Sequence, residues 1–249
     1  MERIQYKKGS AVVTVGDELV LGEVLNTNQD FLLKSLSQAG IPASTALVVS
    51  DEQEHIVKAL HFLIKNGHSP IFICGGIGGT HDDRTRQAVA QALDLPIQRH
   101  TECMEVLARK YKDRLNAQRS RMADLPGGSH LIDNPLGSPG FKVGPIYAFP
   151  GFPKMMKPMV QSVLSHYQEE EKPVFLEARF HCTEGTIATE VEKFAEEWPD
   201  FQVGLYAEAD LRKREVCVKA RYSGEFPESF QKAFEDLVKK LEEIAERDH

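Results

Sequence analysis

The spacing of apolar residues along this 249-residue chain changes period several times. Ala11 to Val15 is a short β-branched run closed by Gly16, which predicts a buried strand. The period then lengthens. Leu32, Leu36 and Ala39 form one stripe of a helix from about Asn28, which Thr27 or Asn28 can cap and Gly40 stops. A second strand, Ala46 to Val49, runs into Ser50-Asp51-Glu52. The next helix carries Ile56, Ala59, Leu60, Leu63 and Ile64 on one face and closes at Asn66-Gly67. Ile71 to Cys74 is a third strand, followed by a glycine-rich loop and a helix that begins near Arg84. Residues 99 to 121 read as one basic, helix-prone stretch. Met104, Leu107, Tyr111 and Leu115 form its apolar stripe, with Arg109, Lys110, Lys112 and Arg114 facing outward. The Pro/Gly-rich segment from Pro126 to Pro153 contains one strand, Ile146 to Phe149, and a helix from Pro153 to His166 follows.

Strands that are apolar throughout, alternating with helices, predict a parallel sheet covered on both faces. Right-handed crossovers make such a sheet doubly wound. The fold class is therefore α/β, an α/β/α sandwich built on a mostly parallel sheet, with a second, smaller α+β domain. The charged run Glu169-Glu170-Glu171-Lys172-Pro173 marks the boundary. Beyond it come a strand (Val174 to Phe180), a helix (near Thr186 to Glu197), two strands (Gln202 to Tyr206, Glu215 to Tyr222) and a charged helix (Pro227 to Arg247). Glu184 to Asp210 carries eight acids and one base. The expected domains are residues 9–168 and 173–249.

Composition narrows the classes. With 41% hydrophobic and 27% charged residues the chain is globular rather than disordered. A net charge of −7 argues against a protein whose main task is coating nucleic acid, and no nucleic-acid partner is expected. The four cysteines, Cys74, Cys103, Cys182 and Cys217, lie far apart and read as buried thiols of a reducing compartment. Met1 to Lys8 lacks the apolar stretch of a signal peptide, and no run approaches the ~20 apolar residues of a membrane span. A cytoplasmic protein without a membrane partner is expected.

Ligands of open parallel sheets bind beyond the carboxyl ends of the strands. Here Asp17-Glu18 follow the first strand and Asp51 the second. The third is followed by Gly75-Gly76-Ile77-Gly78-Gly79-Thr80-His81-Asp82-Asp83. Glycines at such a turn let backbone N–H groups approach an anion, and the helix start after them favours a phosphate. The loop is neither the dinucleotide fingerprint, because His81 stands at the third glycine, nor a P-loop. Asp82 and Asp83 beside a phosphate call for a hard divalent cation such as Mg²⁺, Mn²⁺ or Co²⁺; one of the two is expected to cap the helix. No redox cofactor is expected. Ser50 and Ser138 lack a nucleophile-elbow context.

Six ordered blocks carry a resemblance. They are Gly16-Asp17-Glu18-Leu19, Asn26-Thr27-Asn28, Val49-Ser50-Asp51-Glu52, Gly75 to Thr85, Asn134 to Phe141, and Phe149-Pro150-Gly151-Phe152-Pro153 onward to Met159. Residues 9 to 165 resemble the molybdopterin-binding domain of the MoaB/Mog superfamily, and within it the amino-terminal domain of competence/damage-inducible CinA proteins. The resemblance implies a nucleotide or pterin phosphate ligand on Gly75, Gly76, Gly78, Gly79 and Thr80, with Asp17, Glu18, Asn134, Ser138, Pro150 and Gly151 lining the cleft. It makes Asp51 and Asp83 the functional acids; Asp82 and Asp83 are the expected metal ligands. It also implies a homo-oligomer, a dimer or trimer. The CinA branch is associated with metal-dependent hydrolysis of ADP-ribose-type pyrophosphates, and the Mog branch with adenylylation of molybdopterin. A non-catalytic nucleotide or pterin module is the third expectation. Gly79 and Arg86 depart from the branch's pattern, and no deamidase activity is expected.

Overall fold

The strand-helix alternation read from the sequence is the architecture of the first of two compact units, which divide between residues 170 and 171 in the computed structural model of the chain. The structure describes residues 9–167, 173–207 and 214–247. Met1–Lys8, the predicted boundary run 169–172, and Glu208 and Asp210 of the acidic stretch lie outside the described residues.

The first unit runs β1 (Ser10–Val15), α1 (Asp17–Val20), α2 (Thr27–Gln38), β2 (Ala43–Val49), α3 (Gln53–Lys65), β3 (Ile71–Cys74), α4 (Thr85–Ala92) and β4 (Ile97–Arg99). It continues with α5 (Thr101–Tyr111), α6 (Ala117–Ser120), β5 (Asp124–Pro126), β6 (His130–Ile132), β7 (Gly140–Val143), β8 (Ile146–Phe149) and α7 (Pro153–Leu164). Its main sheet has the order β2-β1-β3-β8-β7-β6. β2, β1, β3 and β8 are parallel; β7 and β6 add an antiparallel edge.

Both faces of this sheet are covered, which is why its central strands are apolar throughout. On one side Ile56, Leu60 and Leu63 of α3 pack on Val13 and Ile73. On the other, Leu32 and Leu36 of α2 and Met156 and Met159 of α7 pack on Val12, Phe72 and Phe149. Phe72 is fully buried, its ring stacked with Tyr147 at 5.1 Å and with Phe149 at 5.9 Å.

The second unit contains β9 (Pro173–His181), α8 (Glu184–Glu197), β10 (Gln202–Ala207), β11 (Glu215–Ser223) and α9 (Glu228–Glu246). Its antiparallel sheet has the order β10-β11-β9, and the apolar faces of α8 and α9 cover one side.

Several expectations are corrected. Residues 99–121 are not one helix. His100 caps α5, Lys112 takes a positive φ of 46° that ends it, and Asn116 caps the separate α6. β4 and β5 pair as a two-stranded ribbon, and β6 and β7 lie within the Pro/Gly-rich segment. Asn26, rather than Thr27 or Asn28, caps α2 by accepting from the Gln29 N–H at 3.1 Å, and its amide donates to Thr14 Oγ1 at 2.8 Å. The four cysteines are free and buried. Burial pushes the Cys74 thiol up to about 12 against an opposing hydrogen bond from Asn28, and it pushes Cys103 up to about 11.

Phe72→Ala removes a ring flanked by rings on the neighbouring strand, so unfolding should require ~3–5 kcal/mol less free energy. A urea titration followed by circular dichroism measures this. A midpoint equal to that of the unsubstituted chain would contradict the core assignment.

Candidate functional site

Four parallel strands end on the same edge of the sheet, and the loops that leave them hold the residues singled out in the sequence. β7 runs antiparallel to β8, so its first residue, Gly140, and the preceding loop 133–139 reach that edge as well. Asp17-Glu18, Asp51, the Gly75–Asp83 loop, Asn134–Ser138 and Pro150-Gly151 therefore share one rim.

The ends of β1 and β2 are tied by backbone and by carboxylates. The Gly16 N–H donates to the Val49 carbonyl at 3.0 Å. The Asp17 N–H donates to Asp51 Oδ2 at 2.9 Å, and the Asp51 N–H returns a bond to Asp17 Oδ1 at 3.1 Å. Each acid thus satisfies the other's backbone and is held where charges of the same sign accumulate. Burial, more than any other cause, raises the Asp51 pKa above its ordinary value; the Asp17 N–H opposes it, and the charges of Asp17, Glu18 and Asp82 add to it. Asp82 itself is mostly exposed, and hydrogen bonding led by Thr80 holds its carboxyl below the usual range.

The glycine-rich loop is shaped by close approaches. Gly75 has φ +108°, and a Cβ there would lie 2.3 Å from the Val15 carbonyl oxygen. Gly76 has φ +66°, with Thr85 Oγ1 2.4 Å from such a Cβ. Only glycine meets both demands. Thr85 Oγ1 donates to the Gly75 carbonyl at 2.8 Å, and the Thr85 N–H donates to Gly76 O at 3.0 Å, pinning the loop to α4.

Asp83 is the loop's internal clamp. Oδ1 accepts from the Gly78 N–H at 2.8 Å; Oδ2 accepts from the Thr80 N–H at 2.8 Å and from the Thr80 hydroxyl. The expected aspartate cap of α4 is replaced by this clamp, and Arg84 stands at the cap position without a side-chain capping bond, its guanidinium donating instead to Glu52 Oε2 at 3.0 Å. Among the described residues, the N–H groups of Gly76, Ile77 and Gly79 donate to no protein acceptor. They are the donors left for an anion.

Arg86 was read in the sequence only as a departure from a pattern, and it proves central. Its side chain is fully buried, and Nη1 donates to the carbonyls of Ile77 and Gly78. Burial lowers its pKa, while the carboxylates of Asp83 and Asp124 oppose the shift. An arginine remains a cation under such conditions, so positive charge lies directly beneath the loop. The signal available in the sequence was a lone arginine at the start of an otherwise apolar helix face. A cavity of about 380 Å³ beside the loop includes Thr80, His81, Asp83, Arg84, Arg86 and Arg121 in its lining.

On the other flank, Lys110 folds inward, contrary to the outward placement expected of it. Its ammonium donates to the carbonyls of Asn134 at 3.2 Å and Gly137 at 2.8 Å, and burial lowers its pKa. Buried Asn134 donates to the Ser138 carbonyl at 2.8 Å, so the Asn134 and Ser138 positions are parts of one loop closure. Asn28 of α2 donates to the Gly151 carbonyl at 2.6 Å, which fixes the β8–α7 turn 3.5 Å (measured to a Cβ built on Gly151) from Gly75 Cα.

Among the described residues no three His, Cys, Asp or Glu side chains are grouped to hold a metal ion unaided. The donors that gather at the rim are carboxylate oxygens whose mutual repulsion is visible at Asp51. That set fits a hard divalent cation completed by phosphate oxygens and water. Among the described residues no helix is long and apolar enough to cross a membrane.

The open, mostly parallel α/β sheet with a glycine-rich loop and acids at its carboxyl edge places the chain in a class of α/β domains that comparison with known proteins makes specific. The chain belongs to the family described as the probable molybdopterin binding domain, whose model matches residues 11–170. Within it the similarity is to CinA-like proteins. A CinA-like protein of Cyanothece is 36% identical over 169 residues, covering 64% of this chain and 40% of that relative. A protein of Metallosphaera sedula is 26% identical over 250 residues, covering 94% of this chain and 92% of its own length. The crystal structure of CinA from Thermoplasma acidophilum, described as of unknown function, matches with a TM-score of 0.61 and 28% identity, covering 64% of this chain and 98% of that one.

Asp82→Asn should lower the Asp51 pKa without restoring the ordinary 3.8, because burial is the larger cause. Carbon-detected NMR titration reads this directly. Since the folded state holds the Asp51 proton more tightly than the unfolded chain, this group favours folding at low pH, and that contribution is lost as pH rises above 3.8. Arg86→Met should strip two carbonyls of their donor and destabilise the fold by ~1–3 kcal/mol or more, with faster amide exchange at Gly78 and Thr80 than at β1.

Proposed function

We propose that this rim is a divalent-metal-dependent pyrophosphatase site acting on ADP-ribose or a related dinucleotide. The observation that supports it is the pairing of a loop that has unused N–H donors with the carboxylates of Asp17, Asp51, Asp82 and Asp83 on the same rim, where burial first and neighbouring charge second raise the Asp51 pKa. A bound phosphate beside those acids needs positive charge between them, and phosphoryl transfer needs that charge in the same place.

In this proposal the free N–H groups of Gly76, Ile77 and Gly79 seat one phosphate, while Gly75 and Gly78, whose N–H groups bond the Phe149 carbonyl and Asp83 Oδ1, shape the loop around it. Asp82 and the remaining lone pair of Asp83 Oδ1 hold Mg²⁺, Mn²⁺ or Co²⁺; Asp83 has three of about four acceptor sites already occupied. When bound, the ion neutralises the pyrophosphate and the charge that develops on it. Asp51 accepts a proton from water as the water oxygen bonds to phosphorus. The bridging P–O bond breaks, and ADP-ribose gives AMP and ribose 5-phosphate. Asp17 and Glu18 orient and polarise Asp51. Thr80 steadies Asp83, and Asn134, Ser138, Pro150 and Gly151 line the part of the cleft that takes the second half of the substrate. Exposed Val20, Leu21, Val24 and Leu25 beside the rim support the expected homo-oligomer.

A second reading, AMP transfer to molybdopterin, takes its pterin ligand from the family's description as a probable molybdopterin binding domain. Incubating the protein with ADP-ribose, FAD, NAD, or ATP plus molybdopterin, each with the three metals, separates the two. AMP from ADP-ribose that falls ~10²-fold or more in Asp51→Asn supports hydrolysis. Adenylylated pterin supports the second reading, and saturable binding without turnover would reduce the site to a binding module.

A further inference from the structure

The three-stranded sheet of the second unit has helices on one side only. Val174, Leu176, Ala178 and Phe180 of β9, Val203 and Leu205 of β10, and Val216, Val218 and Ala220 of β11 face those helices. The intervening residues form the other face, and the strand register sets them in rows. Gln202, Arg221 and Phe175 share one row, Gly204, Lys219 and Glu177 the next, and Tyr206, Cys217 and Arg179 the third.

Three features single this face out. Tyr206 is 59% exposed. Its ring leans back along β10 over Gly204, where an added Cβ would lie 2.8 Å from the hydroxyl and 2.9 Å from the ring. Glycine at 204 is what lets the ring lie over the strand. Phe175 is 41% exposed, with Lys219 Nζ 5.5 Å and Arg221 Cζ 5.2 Å from its centroid. Between the two rings runs a groove of about 490 Å³, lined by Phe175, Gln202, Gly204, Tyr206, Lys219 and Arg221 together with Val203. That volume is within the range of small-ligand sites.

The charge on the face is arranged for an anion. Lys219 is paired with Glu177 at 2.6 Å and Arg179 with Glu215 at 3.0 Å. Arg221 has no carboxylate partner among the described residues, and its buried Nε has no hydrogen-bond partner. The opposite layer is acidic, with five acids to one base in α8 and six to three in α9. An anionic ligand is therefore directed to the open face.

We propose that this face binds a nucleoside phosphate, with its base stacked on Tyr206 and its phosphate on Arg221 and Lys219. The site lies in the second unit, beyond the residues 11–170 matched by the family, and does not depend on the pyrophosphatase reading. The arrangement combines a planar aromatic platform with adjacent cations.

The test is a nitrogen–proton NMR titration of the full chain with AMP. Saturable shifts at Gly204, Tyr206, Lys219 and Arg221 support the site, independently of any shifts at residues 75–83. Tyr206→Ala should weaken this binding ~5-fold or more, the loss expected for one stacked base, while Tyr206→Phe retains it. Arg221→Gln should weaken AMP and leave adenosine unchanged. Shifts confined to the first unit would overturn the proposal, as would an unchanged affinity in Tyr206→Ala or no saturation by ~10 mM AMP. A single-stranded oligonucleotide bound ~100-fold more tightly than AMP would replace it with a polymer-binding surface. Self-association abolished by Tyr206→Ala would replace it with an interface between copies.

Discussion

The loop between β3 and α4 is held in shape by two oppositely charged side chains, Asp83 at its own end and Arg86 of the helix that follows, and the candidate site depends on that. From below, the Arg86 guanidinium takes the carbonyls of Ile77 and Gly78. Across the loop, Asp83 takes the N–H groups of Gly78 and Thr80. Glycines lose the most conformational freedom on folding, so a run of four is the costliest segment to order. Two oppositely charged side chains, anchored at the start of one helix, supply the ordering. What they leave unbonded, the N–H groups of Gly76, Ile77 and Gly79, is what the site can offer to a ligand.

This division of labour separates the acids. Asp83 is largely consumed in holding the loop, whereas Asp51 is held by the Asp17 backbone and keeps acceptor capacity. Asp17 and Asp51 exchange backbone bonds across adjacent parallel strands, which fixes two carboxylates near each other despite their repulsion. Burial is the main cause of the raised pKa of Asp51, and the neighbouring charges of Asp17, Glu18 and Asp82 add to it. Under the proposed function, that gathering of carboxylates would take a cation, and the free N–H groups a few residues away would take the phosphate that accompanies it.

Legibility in the sequence followed burial. Ile71–Cys74 and Ile146–Phe149 were readable to the residue because both faces of each strand are buried and each is apolar throughout. The convergence of Asp17, Asp51 and the glycine loop on one rim followed from parallel topology alone. β6 and β7 were hidden because an antiparallel edge strand needs only three or four residues, and Gly140 opens β7 where a Cβ would strike the Ala148 carbonyl oxygen. The break at Lys112 was hidden because the basic run keeps helical spacing across it. Arg86 and Lys110 were missed for a shared reason. Both are long cations that bury their charge on backbone carbonyls, and nothing in a one-dimensional pattern distinguishes that from a solvated side chain.

The two units would handle negative charge by opposite means. In the first, the proposed anion donors are backbone N–H groups, with Arg86 beneath them and the carboxylates of Asp17, Asp51, Asp82 and Asp83 along the rim, so a cation would accompany the ligand there. In the second, side-chain cations stand on an aromatic face; Glu177 and Glu215 pair with Lys219 and Arg179 there, Arg221 has no carboxylate partner among the described residues, and the acid-rich helices cover the far side of the sheet. On these two proposals, a phosphate compound would meet a metal-dependent surface in one unit and a metal-independent one in the other. Removing divalent ions with a chelator should therefore abolish AMP binding at the glycine loop and leave binding at Tyr206 unchanged. That asymmetry is a physical consequence of which atoms carry the positive charge, and it holds whether or not the first site turns its ligand over.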